Sequence, residues 1–176
     1  MKRSQLHPLP EYFDRYINQC DDVSIAEAIS TSLHELDNLP IGQWKALGNK
    51  VYAPGKWTVK DILQHLADTE RVFSYRALVF ARQETQRVPN FPEDDYAAAA
   101  SANDRSIESI VEELKALRRS FKALYDSFTP TMLNNMGLGF KGLYSVASIG
   151  YIVPGHQRWH MRVLEEKYYP LLKEYV

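Results

Sequence analysis

Cys20 is the only cysteine among the 176 residues, which excludes an internal disulfide and any metal site built on several thiolates. No apolar run is long enough to cross a bilayer. The basic start, MKRSQLHPLP, lacks the continuous apolar stretch of a secretion signal. Neither sign of charge prevails: 21 Lys and Arg against 22 Asp and Glu leave a formal net charge of -1, with no general attraction for nucleic acid or an anionic membrane. These absences lead to the expectation of a cytoplasmic protein whose self-association net charge does not oppose. There is also no internal repeat, no low-complexity tract and no convincing alternating strand. A chain of this length has enough core to fold without a staple, so one domain is expected over 1–176.

What is present is helical periodicity. EYFDRYINQC (11–20) has the makings of a short helix, followed by a longer one over 23–39 with Ile25, Ile29, Leu33 and Leu36 on one stripe. Ser24 followed by Glu27 predicts a capped start, and Pro40 the end. A second long helix is predicted over 58–84, opened by Thr58 and Asp61. A third, over 104–128, carries apolar residues at spacings of three and four from Ile107 to Phe128. The fourth spans roughly 145–169 and contains Pro154, which either kinks the helix or marks a fresh start near Gly155. Four such helices predict an all-α, four-helix bundle. The connections 40–57, 85–103 and 129–145 are too long for simple turns, and they are expected to cover one end of the bundle, where a pocket can form.

GHQRWH (155–160) stands inside the fourth helix and stacks His156 and His160 one turn apart. Such a pair is either packing or two metal ligands, and a third ligand would decide. His65 is the one other histidine at a semi-apolar position of a long helix, beside Ile62, Leu66 and Thr69, whereas His34 is expected to face solvent. Zinc proteases carry HExxH, but Gln157 occupies the position of the carboxylate base and cannot accept a proton from water.

PGKWTVKDILQHLADTERVFSYRALVFAR, NFPEDDY and GHQRWHMRVLEEKY together resemble the DinB superfamily, over about residues 24–169. The most specific marker is a histidine opening the HLADTE-like stretch combined with HxxxH in the last long helix. The resemblance implies an up-down-down-up four-helix bundle, usually dimeric. It also implies one divalent metal, nickel or zinc, held by His65, His156 and His160 with further positions open to water or a thiol. Many members carry a histidine where Trp159 stands, but that residue is not among the ligands carried over. The superfamily includes thiol S-transferases and relatives of maleylpyruvate isomerases, so it does not imply one reaction.

Three neutral imidazoles would leave the ion its full charge, favouring an anionic thiolate or hydroxide as the next ligand. The expected function is therefore a divalent-metal-dependent enzyme that activates a low-molecular-weight thiol for transfer to or from a small electrophile. The alternatives are a metal-dependent hydrolase and a non-catalytic, stress-related metal-binding protein. Cys20 is not needed for any of these and reads as a buried small residue. Asp68, one turn beyond His65, is the carboxylate placed to accept a proton or orient a ligand, or else an ordinary surface group. Tyr144, Tyr151, Trp159, Phe91 and Tyr96 offer aromatic area, for packing or for a ligand. Arg158 and Arg162 flank the last histidine and either meet an acidic substrate or are solvated. The expected partners are a second copy of the chain and a small molecule or thiol, with neither nucleic acid nor membrane.

Overall fold

The computed structural model describes residues 1–172; the remainder of the expected 1–176 domain, residues 173–176, lies outside the described residues. Among the described residues eight α-helices and one hairpin follow in order: α1 (Asp14–Ile17), α2 (Ile25–Asp37), α3 (Ile41–Leu47), α4 (Val59–Ala81), α5 (Glu93–Ala99), α6 (Ile107–Asp126), α7 (Pro130–Asn134), β1 (Met136–Gly139), β2 (Gly142–Ser145) and α8 (Val146–Val163). The long helices α2, α4, α6 and α8 are the four the periodicity predicts, and local chemistry sets their starts. The Ser24 hydroxyl accepts from the Glu27 amide at 3.2 Å. Thr58 and Asp61 form the full reciprocal box, the Asp61 carboxylate accepting from the Thr58 amide at 2.9 Å and the Thr58 hydroxyl from the Asp61 amide at 3.2 Å. Among the described residues, no helix is long and apolar enough to cross a membrane.

The directions of the helices follow from what their ends touch. Ile25 at the start of α2 meets Gly150 near the start of α8, so these two run parallel. The start of α4 meets the segment just before α6, through Asp61 and Asn103 and through Gln64 and Arg105. Helices α4 and α6 are therefore parallel as well. Phe80, late in α4, packs on Tyr144 just before α8, which makes α4 and α8 antiparallel. Helix α2 packs on α6 and α8, as does α4. The result is the up-down-down-up bundle.

Two apolar clusters fill it. One, at the α2 start, gathers Ile25, Ile29, Phe73, Phe80, Phe121 and Tyr144; the other, at the α2 end, gathers Leu36, Trp44, Leu63, Ile107, Leu114 and Leu164. Each such side chain taken out of water contributes about 1.5–3 kcal/mol. Both clusters contain residues of α2, α4 and α6, and the buried polar groups Ser32, Glu70, Arg118 and Gln157 lie on α2, α4, α6 and α8 at intermediate positions.

The connections differ from expectation. They divide between the two ends: Trp44 and Leu47 of α3 belong to the cluster at the α2 end, and Tyr144 and Phe140 to the other. The stretch 129–145 also contains strands that the sequence did not announce, β1 and β2, paired antiparallel from Met136 with Ser145 to Gly139 with Gly142. Each strand is four residues long, too short for alternation to register. Tertiary contact defines them: a Cβ on Gly137 would lie 1.9 Å from the Phe80 ring, so the strand can press on α4 only as glycine. Helix α8 runs through Pro154 without a break. Ile149, Ile152 and Val153 before it and His156 and Gln157 after it are buried. That packing outweighs the roughly 3 kcal/mol a mid-helix proline costs. Gly155 beside it lets α1 approach, since a Cβ there would lie 1.9 Å from the Tyr16 carbonyl oxygen.

Candidate metal centre

His65 stands in the first third of α4, and His156 and His160 in the second half of α8. Because the two helices are antiparallel neighbours, these stretches meet. The Nε2 atom of His156 lies 3.2 Å from that of His65 and 3.0 Å from that of His160. One ligand nitrogen from each of the three falls within 4.8 Å of the others. His65 and His156 are 4% and 5% exposed. Trp57 packs on the His65 ring at 4.7 Å and the edge of Tyr16 on His156 at 4.8 Å.

Burial drives the His65 imidazole down to about 3, with the charge of His160 adding to the effect, and His160 down to about 4. Burial, then the two neighbouring imidazoles, holds His156 well below the usual histidine range. All three are therefore neutral at physiological pH, the form in which imidazole donates to a metal. A single Nε2 on His156 facing two others cannot be both donor and acceptor, so hydrogen bonding among the rings leaves a lone pair unmatched. A cation matches all three. Nitrogens bound about 2.0–2.1 Å from a tetrahedral zinc lie roughly 3.3–3.4 Å apart, close to the two separations found. The donor set and its geometry fit a divalent ion.

The site is not closed. A cavity of about 360 Å³ has His65 and His156 in its lining and Tyr12, Phe13, Tyr16 and Phe140 as aromatic wall. Glu93, Asp94 and Asp95 of α5 also border this cavity. His160 faces a second cavity of about 210 Å³, shared with Trp57, and Asp94 borders that one as well. The NFPEDDY stretch thus brings carboxylates to the approach to the histidines, and burial raises the Glu93 carboxyl above its ordinary range.

A DinB superfamily model matches residues 25–164, most of the chain. The chain belongs to the DinB superfamily. No curated protein matches it. Among solved structures it is similar to YfiT from Bacillus subtilis, at 18% identity and a TM-score of 0.62 over 88% of this chain and 85% of that one. YfiT is described as a probable metal-dependent hydrolase with an unusual four-helix bundle topology. At that identity the likeness carries the fold.

Within this DinB fold the other residues singled out from the sequence are dispersed. Asp68 does not join the histidines. Its carboxylate accepts from Gln64 Nε2 at 3.0 Å and faces Arg71 at 3.5 Å, beside a different surface cavity. One turn from His65 turned out to be the wrong side of α4 for it. Gln157 ties α8 to α2, donating to the Ser32 carbonyl and to Glu35, each at 3.1 Å. Arg158 binds Glu35 at 2.8 Å and Asp21 at 3.0 Å, and Arg162 reaches Gln19 at 3.2 Å, so neither lines the cavity. Tyr144 and Tyr151 are core, Trp159 packs on Tyr16, and Phe91 alone of the five aromatics lines the cavity beside the histidines, in edge-on contact with the exposed Tyr96. Cys20 is buried, its thiol donating to the Tyr151 carbonyl at 3.4 Å.

Residues that sequence reasoning passed over include Arg76, Tyr12, Tyr16 and Trp57. Arg76 had a signal: it follows His65, Thr69 and Phe73 along one face of α4, where a charge among buried positions is out of place. Tyr12 and Tyr16 had none, since only the docking of α1 on α8 brings them to the site.

Proposed function

We propose that this chain is a divalent-metal-dependent enzyme in which a small molecule occupying the aromatic cavity reacts with a low-molecular-weight thiol activated at the three-histidine centre. The observation that carries this reading is the convergence of three neutral imidazoles, two of them in the lining of a cavity large enough for a small ligand. An ion held there supplies Lewis acidity, which lowers the pKa of a thiol or water at its open positions. The chain supplies the rest. His65, His156 and His160 hold the ion from two helices, and Trp57 and Tyr16 fix the rings. Tyr12, Phe13 and Phe140 shield the reacting groups from bulk water. Among the described residues no carboxylate joins the imidazoles, which suits a thiol, because its proton is lost readily without a base at contact distance.

Hydrolysis is the second reading, favoured by Glu93 and Asp94 at the approach, where a carboxylate can take a proton from water, and by the description of YfiT. Zinc and nickel are the ions proposed, and a homodimer is the proposed assembly, checked by light scattering for the mass of two chains. The deciding experiment incubates zinc- and nickel-loaded protein with a panel of small thiols and a chromogenic electrophile, beside His65→Ala. Metal-dependent consumption of thiol that His65→Ala abolishes supports transfer. Metal-dependent release of product by water without thiol supports hydrolysis. If neither occurs while metal is retained, the centre is structural.

A further inference from the structure

We infer that Arg76 anchors the carboxylate of the ligand, which makes the cavity beside the histidines a site for a small monocarboxylic acid with an apolar body. Arg76 is 2% exposed, yet among the described residues no carboxylate pairs with it. Its Nη2 donates to the Pro89 carbonyl oxygen at 3.1 Å, its Nε has no acceptor, and its guanidinium lies 4.9 Å over the Phe73 ring. A guanidinium cannot shed its proton to escape burial. An uncompensated buried cation is held at considerable cost and is stabilised by any anion that can reach it. The Tyr144 hydroxyl interacts with the guanidinium by charge and as a hydrogen-bond acceptor, but burial raises its pKa above the ordinary tyrosine range, so it stays neutral and brings no counter-charge. The guanidinium thus has neutral oxygens beside it, an Nε without an acceptor and no counter-charge.

The position suits a ligand that also reaches the histidines. His65, Thr69, Phe73 and Arg76 all line the same cavity from one face of α4. The backbones of His65 and Arg76 are separated along the helix by about 16 Å, so an acid seated on the guanidinium reaches the imidazoles only through a body of several bonds. The aromatic wall fits an apolar body. The charge is specified too. Glu93, Asp94 and Asp95 border the cavity and repel a dianion more than a monoanion, which favours a carboxylate over a phosphate monoester. This deepens the functional reading above and rests on it only for which end of the ligand reacts; the anchor itself needs no metal.

The test is calorimetric binding of monocarboxylates from acetate to phenylbutanoate, with phenylbutanamide and phenylpropyl phosphate, to the full chain both zinc-loaded and stripped by chelator. The expected result is that at least one aryl-bearing acid binds in both forms, about tenfold or more tighter than its amide. Arg76→Gln removes the difference between acid and amide, and Arg76→Lys keeps part of it. Equal binding of acid and amide, tighter binding of the phosphate, or no acid bound at millimolar concentration overturns the proposal. Acid bound only by the zinc-loaded form overturns the anchor and leaves the metal centre standing. Acid bound by a chain that takes up no metal upholds the anchor and defeats the metal-dependent reading. If Arg76→Gln fails to fold, the ratio of acid to amide in the unsubstituted chain and in Arg76→Lys decides.

Discussion

Arg118 and Arg76 are equally buried, each 2% exposed, and each projects from a long helix. Their surroundings differ. Arg118 on α6 meets Glu70 on α4 through two parallel hydrogen bonds of 2.8 and 3.0 Å, and its remaining terminal nitrogen donates to Ser32 on α2. That pair locks three helices together and leaves nothing for a ligand. Arg76 has only neutral partners, a backbone carbonyl, the Tyr144 hydroxyl and the face of a phenyl ring, and it opens on the cavity that contains His65 and His156. A compensated buried charge belongs to the scaffold; an uncompensated one, like the three converging imidazoles, is available to something that binds.

The comparison is broken most severely at the paired arginine. Glu70→Gln leaves the Arg118 guanidinium without its counter-charge, and a loss of roughly 3–5 kcal/mol of unfolding free energy is expected in urea denaturation. A loss under about 1 kcal/mol would mean that the pair does not hold the bundle.

The metal comes next in size. Zinc at about a hundred times its dissociation constant should stabilise the chain by about 2.7 kcal/mol. His160→Ala should abolish most of that gain and lower the metal content found by elemental analysis. Unchanged content after alanine substitution of each of the three histidines singly would defeat the assignment.

Removing the unpaired cation should do little. Arg76→Gln takes away a charge that nothing compensates, so unfolding free energy should change by about 1 kcal/mol or less, or rise. A loss as large as that of Glu70→Gln would place Arg76 in the scaffold and erase the contrast.

The smallest effect concerns Cys20, buried and neutral. Burial, more than the neighbouring charges, pushes its thiol up from the ordinary 9.0 to about 11. A raised pKa in the folded state favours the protonated form. Its contribution to stability is therefore complete below about 9 and is lost as pH rises towards 11. Labelling by a thiol reagent at pH near neutrality should be slow in the folded chain and fast in urea. Equal rates would show an accessible thiol.

Ser24 and Thr58 identify two helix starts by local hydrogen bonding, and the spacing of Ile107 to Phe128 identifies a buried face without reference to anything distant. The three histidines were legible for the same reason: HxxxH fixes two of them on one helix face, and the semi-apolar setting of His65 together with the DinB pattern indicates the third. Asp68 shows where such reasoning stops. Residues three apart on a helix are neighbours, but whether both look at the same cavity depends on the packing of α6, whose Glu113 and neighbouring Arg105 join the network around Asp68. The hairpin and α3 were illegible because their residues are held by Phe80 and by the α2-end cluster, not by their own periodicity.

By itself the sequence determined four amphipathic helices, their caps, the lack of any cysteine framework and a histidine pair one turn apart, because each depends on interactions within a few residues along one helix. Tertiary structure decided which carboxylates and arginines belong to the site. It paired Glu70 with Arg118, turned Asp68 and Arg158 towards other partners, and left Arg76 facing the aromatic cavity. These outcomes depend on which helices become neighbours and in which direction they run, and a buried charge acquires its role only from the groups that such packing brings within hydrogen-bonding distance.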